Sequence, residues 1–490
     1  MVAGCVHTDV PIPTPDTPIP TTESPQTRAW ATTANREMLL SELQLSSNAG
    51  EPDDVVTVDP DSARQDIEGF GAALTQSSAR LIADMPSDSR STLLDELFNP
   101  AGPTRLSALR IAFGGSDFVS EPAYTYDDLP VGEEDWNLDH FSTAADDDAI
   151  RPVLREILAI APDLEVIASP WSPPAWLKDS GSLVGGRLRD DDRVYDTYAE
   201  YLVRAVEEYA AAGVSIDYLT VQNEPQAKHP DGYPGTDMPV ADQVRLIDAL
   251  GPRLAERAPD TRILAYDHNW SLHPADAAAG DAETEYPADV LRSDAGRWVA
   301  GIAYHCYSGE PSRQSALHDE FPKVSIQVTE CSGSHTAGDS PAKVFADTFS
   351  WQSRVLLIGS LGNWASSVLT WNLMLDPSGG PHIGGCETCT GVVTLEADGA
   401  VTRNAEYYVL AHAARFVPPG STTLNTAQDR DSPLSHTAFR TPAGEIVTLL
   451  YNDSSDSRLT LVSAGAVQAR VEIPGTALVT VVMTPDHATD

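Results

Sequence analysis

The chain has 490 residues, 41 % hydrophobic and 21 % charged, a globular composition long enough for one large domain and a smaller one. Its formal net charge of −41 excludes nucleic acid as a natural partner, since phosphates are repelled, and no run of eighteen apolar residues is present to cross a membrane. Lysine is confined to Lys178, Lys228, Lys323 and Lys343, so the acidity reads as a solvated, salt-tolerant surface compatible with neutral sugar substrates.

Residues 1–35 read as a Pro/Thr-rich linker. Val2-Ala3-Gly4-Cys5 has the form of a bacterial lipobox, and the Pro11–Pro25 stretch behind it reads as an extended tether. The charged and apolar parts of a signal peptide are missing upstream, so the expectation is a start internal to a longer precursor. A lipid anchor at Cys5 and an extracellular or surface-tethered location follow as expectations. Residues 36–63 hold two short strands, Met38–Leu45 and Val55–Val58, expected to join a β side domain.

Residues 64–403 carry eight apolar, β-rich runs: Gly69–Leu74, Leu106–Phe113, Glu165–Trp171, Tyr218–Asn223, Arg262–Asp267, Gly301–Tyr307, Ser325–Glu330 and Ser366–Asn372. Helical periodicity lies between them, clearest over Val194–Ala212 and Val240–Arg257. Near-continuous apolar strands alternating with helices predict an α/β fold, a parallel (β/α)8 TIM barrel. Residues 404–490 change character. Thr437–Arg440, Glu445–Asn452, Arg458–Leu461, Val467–Ile473 and Thr476–Met483 predict an antiparallel β-sandwich-like side domain, with turns at Asn452-Asp453 and Pro474-Gly475.

A barrel enzyme keeps its active site where strands end. Six of the eight runs end in polar or aromatic clusters, and two of them close on a glutamate: Gln222-Asn223-Glu224-Pro225 and Thr329-Glu330-Cys331. Glycoside hydrolysis needs two carboxyls flanking the scissile bond, about 5–5.5 Å apart when configuration is retained. Glu224 and Glu330 are therefore the expected pair, against a reading in which they form a buried ion pair. Asp117, Trp171, His305, Tyr307 and Trp371 stand at other strand ends, with core packing the alternative for the two tryptophans. Cys386 and Cys389 read as a small loop disulfide if the protein is exported, Cys331 as a small buried filler. Neither the cysteines nor His305 has ligand partners at metal spacing, so no metal or cofactor is expected. Arg110, inside a barrel strand, requires a carboxylate partner.

These motifs resemble glycoside hydrolase family 30, which includes glucosylceramidase and endo-β-1,6-glucanases. The carriers run in order from about Asp66 to Gly420: Gly69-Phe70-Gly71-Ala72, Arg110 to Phe118, Ala168-Ser169-Pro170-Trp171 to Lys178, Asn223-Glu224-Pro225, Tyr233-Pro234-Gly235, Thr329-Glu330-Cys331, and Thr370-Trp371-Asn372-Leu373 continuing to Gly379-Gly380-Pro381. The resemblance implies Glu224 as acid/base and Glu330 as nucleophile. It implies Asn223 as the residue that hydrogen-bonds the sugar 2-hydroxyl, and Asp117, Trp171 and Trp371 as holders of the innermost sugar. It places His305 and Tyr307 beside the carboxylates, with Tyr307 a hydrogen-bond donor to Glu330. The implied function is retaining hydrolysis of β-glucosides, with a xylosidase or xylanase of the same family, or a non-catalytic carbohydrate-binding protein, as alternatives. The 382–391 loop, carrying Cys386 and Cys389, departs from the glucosylceramidase pattern and leaves the leaving group open.

Overall fold

The structure, a computed structural model, describes residues 27–47, 50–119, 122–228, 232–428 and 432–484. Cys5 and the Pro11–Pro25 tether lie outside the described residues.

Eight parallel strands close into a barrel: β1 (Gly69–Ala73), β2 (Ala108–Phe113), β3 (Glu165–Pro170), β4 (Tyr218–Thr220), β5 (Arg262–Asn269), β6 (Val299–His305), β7 (Ser325–Glu330) and β8 (Ala365–Thr370). Every residue of β1, β2 and β8 is buried, because helices cover the outside and side chains fill the inside. Close packing shows at Gly71: a Cβ there would fall 1.8 Å from the Ala108 carbonyl oxygen, so only glycine lets β1 lie against β2.

Ala108, Ile167, Tyr218, Leu264, Ala303 and Leu369 form one apolar layer inside the barrel. Strand periodicity puts the next inward side chains two residues on, at Arg110, Ser169, Thr220 and His305. On β5 the step is three residues. A bulge between Tyr266 and His268, with Tyr266 at φ 72° and Asp267 at φ 63°, turns Asp267 inward instead of Tyr266. The apolar floor thus gives way, one layer up, to a charged one.

The side domain is a nine-stranded sheet in the order Val467–Ile473, Arg458–Ala464, Asp54–Asp66, Thr422–Gln428, Leu434–Arg440, Ile446–Asn452, Ala477–Met483, Thr27–Thr33, Ser41–Leu43. It encloses its own core of Val56, Leu424, Leu450, Val462, Val471 and Val481 among others, and forms the β-sandwich expected. Two boundaries differ from expectation. The span read as linker to residue 35 contains Thr27–Thr33, which pairs residue for residue with Ala477–Met483 and buries Ala29 and Ala31. The helix Ala405–Ala414 falls within the segment assigned to the β domain, yet packs on β1 and on the helix Pro341–Trp351. His412 on that helix joins the two bodies, its ring nitrogens 2.7 Å from Thr480 Oγ1 and 3.0 Å from Thr32 Oγ1.

Candidate active site

Arg110 is completely buried in the charged layer and fans out to four partners. Nη1 donates to Glu330 Oε2 at 2.6 Å; Nη2 donates to Asn223 Oδ1 at 2.7 Å, Asp267 Oδ2 at 2.8 Å and Ser169 Oγ at 3.2 Å. The carboxylate partner that its sequence position demands is supplied twice over. Asp267 also accepts from Ser169, Thr220 and Thr329 hydroxyls at 2.7–2.8 Å. Burial alone would raise its pKa, but Arg110 and His305 outweigh that and hold it far below the ordinary range. Asp267 is therefore a permanent anion beneath the site.

Above this layer the two glutamates converge. One carboxylate oxygen of Glu224, one of Glu330 and a ring nitrogen of His305 all lie within 4.8 Å of one another. His305 bridges: Nδ1 is 3.0 Å from Glu224 Oε1 and 3.8 Å from Glu330 Oε1, and Nε2 is 3.1 Å from Asp267 Oδ1. Burial would depress the imidazole, but Glu330, Asp267 and Glu224 carry it up to about 9. Glu224 is held below its ordinary value because His268, His305 and Arg110 overcome its burial. Glu330 is pushed up by burial and by Glu224, against the pull of His305, Arg110 and Tyr307. Glu224 takes a left-handed conformation at φ 43°, a strain of about 1–3 kcal/mol held by its amide bonding to the Asp267 carbonyl. The Tyr307 hydroxyl donates to Glu330 Oε1 at 2.9 Å, as expected, while 40 % of the residue stays exposed. Three ligand-type atoms meet here, but a guanidinium 2.6 Å from Glu330 supplies the positive charge that a divalent ion would bring.

The other expected residues surround the pair. Asn223 reaches the site but its amide oxygen is engaged by Arg110. Trp171 and Trp371 stack on each other at 5.3 Å with Arg110 4.8 Å from the Trp171 ring, so they wall the site at 2 % and 3 % exposure. Asp117 is buried beside the carboxylates, and burial, then Glu330, raises its pKa well above the ordinary value. The 382–391 loop is drawn onto it: the Ile383 amide bonds the Asp117 carbonyl at 2.8 Å, and a Cβ on Gly385 would sit 2.3 Å from Asp117 Oδ2. Cys386 and Cys389 are joined as a disulfide.

One expectation is corrected. Cys331 is not a free filler; it is disulfide-bonded to Cys306, because the barrel register sets the ends of β6 and β7 side by side. Sequence reasoning also passed over Asp267 and Lys178. Lys178 is buried, and its ammonium donates to Ser172 Oγ and the Leu183 and Gly235 carbonyls, pinning the loop after β3. The only sequence signal for Asp267 is the polar run Asp267-His268-Asn269 closing an apolar strand.

Two carboxyls this close, one just past β4 and one closing β7 at the C-terminal mouth of a parallel barrel, define a glycoside hydrolase that retains configuration. The chain belongs to glycosyl hydrolase family 30: the family's TIM-barrel domain matches residues 67–417 and its beta sandwich domain residues 420–481. It is a β-glycoside hydrolase with oligo- or polysaccharide-type substrates. Among its relatives, the endo-1,6-beta-D-glucanase of Neurospora crassa is 33 % identical over 383 residues, covering 76 % of this chain and 74 % of that one. The lysosomal acid glucosylceramidase of Mus musculus is 27 % identical over 441 residues, covering 87 % and 82 %. The solved endo-beta1,6-glucanase BT3312 superposes with a TM-score of 0.84 at 28 % identity, covering 93 % and 98 %.

Proposed function

We propose that the chain hydrolyses β-1,6-linked glucan by double displacement, with Glu330 as nucleophile and Glu224 as acid/base. The observation that carries this is the convergence of the two carboxylates and the His305 ring within 4.8 Å. Arg110 and Tyr307 hold both oxygens of Glu330 in place for attack on the anomeric carbon. Glu224 delivers a proton to the departing oxygen and then takes one from water. His305, carried up to about 9 by the surrounding carboxylates, lies 3.0 Å from Glu224 Oε1, within reach to pass a proton to it. Asn223 keeps its amide oxygen on Arg110 and offers its amide nitrogen to the sugar 2-hydroxyl, and Asp117 holds the far hydroxyls.

Three fungal endo-1,6-beta-D-glucanases at 31–33 % identity, against glucosylceramidases at 26–28 %, favour the glucan over a lipid aglycone. Two disulfides favour an oxidising, exported setting, in keeping with a surface tether through Cys5. The test is product analysis on β-1,6-glucan, glucosylceramide and an aryl β-glucoside in parallel. Oligosaccharides released from the glucan are expected. Turnover of glucosylceramide alone would replace the glucan with a lipid substrate.

A further inference from the structure

We infer that the Cys306–Cys331 disulfide is a positioning element of the active site, holding the Tyr307 hydroxyl on Glu330. The inference rests on Glu330 being the nucleophile.

Each half-cystine is the chain neighbour of a residue it positions. Cys306 lies between His305 and Tyr307, and Cys331 follows Glu330. Backbone pairing does not reach Tyr307. The β6–β7 ladder runs regularly from Gly301↔Ser325 to Tyr304↔Val328, then skips Thr329 and closes on His305↔Glu330. The skipped residue turns its hydroxyl down to Asp267, and the ladder then closes on His305, two residues short of Tyr307. Beyond that point the disulfide, with Cα atoms 5.3 Å apart, is the covalent tie between the two strand ends. The Cys331 carbonyl also accepts from the Trp371 amide at 2.7 Å, anchoring the cross-link to β8.

Tyr307 needs such a tie. It is one of the few large apolar residues exposed among those described, and its own loop is held by the Tyr307 amide on Asn269 Oδ1 and the Ser271 amide on the Ser308 carbonyl. This disulfide is buried, at 6 % and 0 % exposure, in the core packed around the barrel, and each of its halves is bonded in sequence to a residue that faces the site. Tyr307 donates to the ionised form of Glu330 and lowers its pKa, so release of Tyr307 moves the acid limb of kcat/KM to higher pH.

The experiment compares wild type, C306S/C331S, Y307F and the triple variant on an aryl β-glucoside, measuring kcat, KM, the pH profile and Tm. The double variant is expected to lose about tenfold in kcat with KM within about twofold, and to shift its acid limb alkaline. The triple variant is expected to match Y307F, since both changes remove one contact. A lowered Tm with kcat and pH profile unchanged, or losses that multiply in the triple variant, would overturn the inference. Should C306S/C331S not fold, native enzyme is titrated with a phosphine reductant and its thiols counted. Activity is expected to fall as the Cys306 and Cys331 thiols appear, and full activity with both free overturns the inference. Azide rescue of Glu330→Ala keeps the two readings apart: it reports the nucleophile whether or not the disulfide matters.

Discussion

Arg110 and Glu330, 220 residues apart in sequence, meet at 2.6 Å in the buried centre of the barrel. The guanidinium fixes one oxygen of Glu330 from below and leaves the other to Tyr307, so the carboxylate proposed as nucleophile is held in one orientation. Its planar fork also reaches Asp267, Asn223 and Ser169, which a lysine cannot do.

Arg110→Lys is therefore expected to be severe. It leaves Asp267 and Glu330 short of donors in a buried layer, a loss of about 3–5 kcal/mol in stability. Activity should fall by about 10³-fold, with kcat affected more than KM. Urea unfolding and steady-state kinetics on the same preparation check both figures.

His305 sets the alkaline side of the pH profile. Its pKa rises from 6.5 to about 9 in the folded protein, so its stabilising contribution is complete below 6.5 and disappears as pH climbs through about 9. The alkaline limb of kcat/KM is expected near 9 for the same reason. His305→Gln, which keeps a hydrogen bond but carries no proton, should lower kcat and move that limb toward acid, as a pH series would show.

The loop on Asp117 reads as a specificity element. Gly385→Ala places a methyl within 2.3 Å of Asp117 Oδ2 at a φ of 68°, where an L residue is strained as well. The expected result is KM raised about tenfold with kcat nearly preserved, because the reacting carboxylates are untouched. Initial rates across substrate concentration decide it.

Acid stability has a separate source at the domain junction. Burial takes the His412 imidazole down to about 3, so the unfolded chain binds a proton that the folded one refuses. Stability is present above 6.5 and drains away as pH falls toward 3. His412→Gln should flatten the Tm-against-pH curve between 6.5 and 4, at some cost to Tm at neutrality.

The barrel was legible because its strands are covered on both faces and so read as unbroken apolar runs; Ser325–Glu330 matches residue for residue. Both glutamates were legible because each closes such a run. Asp267 closes a run as well, but the bulge that turns it inward in place of Tyr266 leaves no mark in local sequence. Cys306 and Cys331 stand 25 residues apart, and only the barrel register makes them neighbours. Thr27–Thr33 and Thr422–Gln428 are short and polar; they are strands because distant partners, Ala477–Met483 and Asp54–Asp66, offer open edges.

Glu330→Ala, assayed on an aryl β-glucoside with and without azide, decides whether Glu330 forms the covalent intermediate. Turnover near zero is expected without azide and recovery with it, the product being the α-glucosyl azide of inverted configuration. Glucose still forming at a substantial rate, with azide incorporating nowhere, would contradict it.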